Sequence, residues 1–479
     1  MVGNDTPIRQ DSEDGPEPLD ESKVNSISAA EQSLQGGQPD MTSEAEWSED
    51  VEEETKPTFL ELFYDLVFVV VLHKIATGLE EEESITRDTV WAYCLRVFMA
   101  WWTWHMTATW TNLCSYLTTE YHVLHYVAIL LQGFGMALMS SAGTEGDNDL
   151  FLGFYLGTRI VNLIAWVYLV NQLTASQKLP QEMIDVLDGL VKVTSVFLLV
   201  ESAVYIPAAV LAHAGSSEKS LSLWLAGVLF TLSIRTIGGW NHDKKTEEVK
   251  KVAKFKLDHL EERYGLLVII LLGEIVASSA AVSSKDGFWV YFKVFSAVVT
   301  AFTGFLLYFE ALPKGRWNAQ RVSNLASMNW THCHFCVACC LAALGSGFAR
   351  LMEEGDHHDE AHASSILLLC ISSGLFLMFS AAFVYFGRDV PPGSHLAPPR
   401  LNHGQRTSIR CFCGALILLW GTIQGYEPTK STLSDWKIEA TCAVIPSVMF
   451  CSFVAERWGA QRVEQETIAG ALLAANAHA

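Results

Sequence analysis

From Phe59 onward the chain repeats one feature that leaves few folds open: an apolar stretch of roughly 20 residues, set off from the next by a polar break. Coiled at 1.5 Å per residue, such a stretch crosses about 30 Å of hydrocarbon. A helix also satisfies its own backbone hydrogen bonds, which a segment without water around it must do. Twelve stretches fit, at 59–77, 89–113, 122–141, 150–172, 186–212, 221–240, 264–282, 288–312, 332–351, 363–387, 408–426 and 438–456. The fifth is the least regular, because Asp185, Asp188 and Lys192 interrupt its start and Pro207 sits near its end. The fold expected is an all-α, polytopic transmembrane helix bundle of about twelve spans.

Composition agrees. Only 18% of the 479 residues are charged and 50% are hydrophobic, against roughly 25% charged in soluble domains. A disordered chain, a collagen and a small disulfide scaffold are excluded. Cys94, Cys336, Cys339, Cys340, Cys370 and Cys451 lie inside apolar runs, where cysteine packs as a small hydrophobe. The net charge of −21 is concentrated at the front. Residues 1–58 hold sixteen acidic and three basic residues and read as a disordered acidic cytoplasmic tail. It has no basic or apolar region of a signal peptide, so the first span is expected to act as the targeting signal. The negative balance and the lack of a basic stripe exclude nucleic acid as a partner. The partners expected are the lipid bilayer and a small solute or ion of unknown identity; the oligomeric state is open.

The loops carry an orientation signal, since cytoplasmic loops are enriched in Lys and Arg. With a cytoplasmic N-terminus, the inner loops hold fourteen such residues, from Lys178 to Arg406 and Arg410, and the outer loops hold six, Arg87, Lys219, Lys285, Arg350, Lys430 and Lys437. The acidic loops Glu80–Glu83, Glu145–Asp149 and Glu353–Glu360 fall outside. Both termini are therefore expected in the cytoplasm, and the N-x-Thr sequons at Asn4 and Asn329 lie on that side. The organisation expected is a tail over 1–58, a six-helix half over 59–241, a basic linker over 242–263, a second half over 264–460 and a cytoplasmic tail over 461–479.

An ionisable side chain in hydrocarbon costs at least about 2.5–3.5 kcal/mol, so it faces a partner or a wet cavity. The spans hold Asp65, Arg96, Arg159, Glu201, Arg235 and Glu274, with His73 and His105 as titratable neighbours. Matching depths along the helices suggests the pairs Glu274 with Arg159, Glu201 with Arg96, and Asp65 with Arg235. His259, Arg263 and Glu274 share one face of the seventh span, with Gly273, Ala277 and Ser278 nearby. Glu61 and Asp65 are one turn apart on the first, where crowding would favour holding a proton. Two readings stand: Glu61, Asp65, Arg159 and Glu274 line a solute or ion pathway, or the charges, Arg96, Glu201 and Arg235 above all, serve only to fix helix register.

Two segments say more. Phe59-Leu-Glu-Leu-Phe-Tyr-Asp-Leu-Val-Phe-Val69 opens the first span, and His259-Leu-Glu-Glu-Arg-Tyr-Gly-Leu-Leu-Val-Ile-Ile-Leu-Leu-Gly-Glu274 opens the seventh. Both resemble signature motifs of the low temperature requirement A (LtrA) membrane protein family, and Trp101-Trp-Thr-Trp104 is similar to a tryptophan-rich stretch there. Within the second motif Glu262 is the matching glutamate, and His259, Glu262 and Arg263 become gating candidates. The family's solute or other activity is not established, so the resemblance implies a membrane protein without fixing a mechanism. Spans one and seven also resemble each other at an offset of 200 or 201 residues, and Trp91-x-Tyr93 echoes Trp289-x-Tyr291. Two alternatives fit: a parallel six-plus-six repeat, or chance similarity between apolar helices.

The remaining signals are weaker. His332-Cys-His-Phe-Cys-Val-Ala-Cys-Cys340 and Asp356-His-His-Asp-Glu-Ala-His362 carry ligand-type residues without metal-site spacing, so no metal is expected. Cys411 and Cys413 at the membrane edge suit packing better than palmitoylation. Gly153-x-x-x-Gly157 is a close-packing motif. No P-loop, nucleophile elbow, HExxH or dinucleotide fingerprint occurs, so neither an enzyme nor a cofactor is expected. The leading functional expectation is a secondary transporter or permease-like protein; the alternatives are a channel or pore, and a structural or sensory membrane protein.

Overall fold

The structure is a computed structural model describing residues 58–456, apart from 83–84, 115–121, 146, 177–180, 244–256, 281–287, 311–322, 354–358, 388–400, 402 and 426–436. The expected tails over 1–58 and 461–479 lie outside the described residues, Thr58 excepted. Twelve helices fill the described part: α1 Phe59–Glu80, α2 Arg87–Cys114, α3 His122–Glu145, α4 Asn148–Ser176, α5 Gln181–His213, α6 Ser217–Asp243, α7 Leu257–Ala280, α8 Phe288–Phe305, α9 Asn324–Glu353, α10 Asp359–Phe386, α11 His403–Gly425 and α12 Lys437–Glu456. Nine of these are long and apolar enough to cross a membrane, which marks an integral membrane protein; α1, α2 and α6 are not among the nine.

Local chemistry sets several ends. Thr58 caps α1: its Oγ1 accepts from the Glu61 amide, and the Glu61 carboxylate accepts from the Thr58 amide at 2.8 Å. This capping box satisfies two of the amides a helix start leaves unpaired. The last turn of α8 widens into a π-helix over Leu306–Glu310, an irregularity that frees backbone carbonyls and often marks functional sites. α5 runs for 33 residues and keeps Pro207 inside it. α7, α9 and α11 begin well before 264, 332 and 408. Hydropathy reads His259, Arg263, Arg406 and Arg410 as water-facing, whereas each is buried against a helix neighbour.

The neighbour pattern of the first helices returns in the second half. α1 packs on α2 and α3 as α7 packs on α8 and α9; α3 packs on α4 as α9 on α10, and α4 on α5 as α10 on α11. α9 lies at the centre, touching α1, α2, α6, α7, α8 and α10, with 83% of its apolar stretch buried. It is built largely of Ala, Gly, Ser and Cys after His334, residues that let helices approach closely. α1 and α7 run side by side in the same direction, since Glu61 meets His259 and Asp65 meets Arg263. An aromatic column ties α1 and α2 to α7 and α9: Phe68 stacks on Trp104 at 5.2 Å, Trp104 meets Tyr264 edge-on at 5.0 Å, and Tyr264 meets Trp330 at 4.9 Å.

The expected close contact at Gly153 and Gly157 is corrected: a Cβ at either would meet nothing within 4 Å, because both sit on the outer face of α4. The tight crossing is between α10 and α11. A Cβ on Gly374 would come 2.9 Å from Gly414 O, and one on Gly414 would come 2.7 Å from Gly374 O.

Candidate functional site

Helices α1 and α7 meet through a ladder of ionisable pairs. At the end where α1 begins, Arg263 of α7 donates from Nε to Asp65 Oδ2 at 3.1 Å, and its Nη2 donates to Asp65 Oδ1. Trp104 Nε1 completes the carboxylate by donating to Oδ1 at 2.8 Å. Arg263 Nη1 donates to Thr111 Oγ1 at 2.6 Å and lies 3.5 Å from Glu61 Oε1. Glu61 Oε2 is 3.3 Å from His259 Nε2. Asp65 and Arg263 are fully buried, and Glu61 and His259 nearly so. The guanidinium thus stands between the two carboxylates, and the expected crowding of Glu61 on Asp65 is offset by a cation they share. This is a bidentate, fully hydrogen-bonded pair of the kind that tolerates burial.

Farther along the same two helices, His73 Nδ1 lies 2.8 Å from Glu274 Oε1. Their side chains keep 36% and 27% of their exposure, so this rung is open where the Asp65 rung is sealed. At 1.5 Å per residue from Phe59, His73 lies about 21 Å along α1.

The remaining candidates separate from this ladder. Arg159 pairs with Glu201 rather than Glu274: Nε donates to Oε2 at 3.1 Å, and Tyr155 OH donates to Oε1 at 3.2 Å. That pair lies inside the first half, on α4 and α5, because α4 turns Arg159 toward α5 and away from α7. Arg96 donates to Asn148 Oδ1 at 2.8 Å instead of pairing with Glu201. Glu262 sits on the exposed side of α7, away from the buried cluster. The side chain of Arg235 lies outside the described residues, and Asp65 is taken by Arg263. A polar chain links the ladder to the first half: Tyr64 OH donates to Thr107 Oγ1 at 3.1 Å, Thr107 contacts Gln132, and Asn162 Nδ2 donates to Gln132 Oε1 at 3.3 Å.

Sequence reasoning missed three sites. Arg410 donates from Nε to Glu456 Oε1 at 2.7 Å, and to Ser380 O and Leu307 O at 3.0 Å each. It thereby joins α12, α10 and the π-turn of α8. Arg406, one turn earlier, lies 3.4 Å from Glu456 Oε2; that i, i+4 spacing was the available signal. Arg350 of α9 donates to Leu79 O at 2.8 Å and to Glu80 O at 3.2 Å, capping the end of α1. His334 lies among Tyr264, Tyr308, Trp330 and Phe383. Its Nδ1 donates to Trp330 O at 2.9 Å, leaving Nε2 to accept from Tyr308 OH at 2.6 Å. Among the described residues no group of three or more His, Cys, Asp or Glu is arranged to hold a metal.

The family model described as bacterial low temperature requirement A protein (LtrA) matches residues 56–424. The chain belongs to the LtrA family. A curated protein of Rhizobium meliloti (strain 1021), described as uncharacterized, is 26% identical over 235 residues, covering 47% of this chain and 50% of that protein. The chain thus spans about half the length of that curated relative. No solved structure matches. The two segments that resemble LtrA signatures are the ones the ladder joins: Glu61 and Asp65 come from the first, and His259, Arg263 and Glu274 from the second.

Proposed function

We propose that this LtrA protein is a secondary transporter for a small solute or ion, with the path running beside the α1–α7 contact and no catalytic step of its own. The observation that carries the reading is the pairing of ionisable residues between the leading helices of two similarly connected halves. Charges are costly in hydrocarbon, and where they gather between moving halves of a carrier they mark its pathway. In this reading the halves are a parallel six-plus-six repeat, both termini face the cytoplasm, and the bilayer is the main partner.

The ladder divides the work. Asp65 accepts from Arg263 and Trp104, and Arg263 donates also to Thr111, which favours a fixed joint for that rung. His73 and Glu274 remain partly exposed, which favours the pathway. Purified protein in proteoliposomes tests the reading: saturable uptake driven by a pH gradient and lost in Glu274→Gln supports a carrier. Unitary currents would instead assign a channel, and absence of flux for all solutes offered would leave the ladder as a packing device.

A further inference from the structure

We propose that His73 and Glu274 form a proton-exchange site, making the proton the coupling ion of the transporter; the coupling, though not the site, rests on that functional reading. The argument begins with what distinguishes the two rungs. A guanidinium stays protonated in proteins, so the Asp65–Arg263 rung keeps a fixed positive charge at its centre. An imidazole beside a carboxylate carries no such obligation.

At 2.8 Å, His73 Nδ1 and Glu274 Oε1 share one hydrogen bond. With a neutral imidazole donating Nδ1–H to the carboxylate, the pair has net charge −1. Uptake of one proton at Nε2 gives an imidazolium–carboxylate pair of net charge zero. Moving the Nδ1 proton onto Oε1 then gives a neutral imidazole, bearing its hydrogen on Nε2, and a neutral carboxylic acid. The contact survives every step, one proton is gained or lost, and the last state leaves no charge in hydrocarbon. That is the property a site needs if it is to pass through the membrane interior loaded.

The surroundings leave the exchange to these two groups. Lys74, next on α1, is exposed and pairs with neither. On α9, Ser346 donates to Ala76 O and Gly345 packs on Ile275 and Ser278, while Arg350 is held by carbonyls at the end of α1. On α2, Arg96 is held by Asn148 and His105 by Tyr264. His125 of α3 packs on Trp110, and Lys293 of α8 donates to Leu351 O. Each of His73 and Glu274 is the other's only ion-pair partner among the described residues. Their partial exposure sets them apart from the sealed Asp65 rung, and in the proposal it is where the proton enters and leaves.

Infrared difference spectra of the full-length protein in lipid films, scanned over about pH 5 to pH 9, test the site without knowledge of the solute. We expect one carboxylic acid band to rise and fall with pH in the wild type, to vanish in Glu274→Gln, and to shift in its pH midpoint in His73→Gln. The second variant decides should Glu274→Gln not fold. A band that persists undiminished in Glu274→Gln, one unmoved by His73→Gln, or no titrating band in the wild type overturns the proposal. A band that behaves as expected in protein that moves no solute keeps the proton site and removes the transport reading instead.

Discussion

Arg263 Nε donates to Asp65 Oδ2 at 3.1 Å across 198 residues of chain, and both side chains are fully buried. Removing one partner leaves the other charge stranded, which costs about 3–5 kcal/mol in a protein interior. Asp65→Ala and Arg263→Ala should each lower the melting temperature markedly in detergent. The double substitution Asp65→Leu with Arg263→Met should recover much of the loss, since an apolar pair of similar bulk needs no counter-charge. A double variant as unstable as the two single effects combined would refute the pairing.

The Arg159–Glu201 bond makes a discriminating prediction, because equal depth along the helices pointed to Glu274 instead. Arg159→Glu should abolish folding or stability, and Glu201→Arg in the same chain should restore it in part. Glu274→Arg should not. Recovery of monodisperse protein by size-exclusion chromatography reads the outcome.

Glu456 is the last described residue and accepts from Arg410 at 2.7 Å. Glu456→Ala should therefore destabilise the packing of α8, α10, α11 and α12, although a single side chain at the end of α12 is removed. Arg410 would be left as a buried unpaired cation, a loss of about 3–5 kcal/mol. Glu456→Gln should cost less, since the amide oxygen still accepts from Nε. Thermal melts of the two variants should rank in that order.

Gly374 and Gly414 press backbone on backbone. Gly414→Ala should force α10 and α11 apart at a cost of about 1–3 kcal/mol. Gly153→Ala, on an open face, should be neutral or slightly stabilising. Equal melting temperatures for the two variants would contradict the crossing geometry.

The orientation bias sharpens once burial is known. Arg406 and Arg410, taken from the sequence as inner loop charges, and Arg350 and Lys437, taken as outer ones, are buried within helices. Removing two from each side leaves the inner excess in place. Cysteines introduced in the 244–256 segment should react with a membrane-impermeant reagent only after permeabilisation of cells that hold the protein in its native orientation.

The sequence by itself determined the helices, because crossing hydrocarbon is a requirement on length and apolarity that can be read residue by residue. The gathering of Glu61, Asp65, His259 and Arg263 in two motif segments was legible in the same way. Which charge meets which was not. Depth along a helix fixes only one coordinate, while a partner also depends on how each helix is rotated and which helices are neighbours. Rotation turned Arg159 to Glu201 and left Glu274 to His73, and packing drew Arg406 and Arg410 into the bundle although the loop count took them as inner loop charges. Only the tertiary structure decides such matters, since a buried charge is stabilised by the group opposite it and not by the residues beside it in the chain.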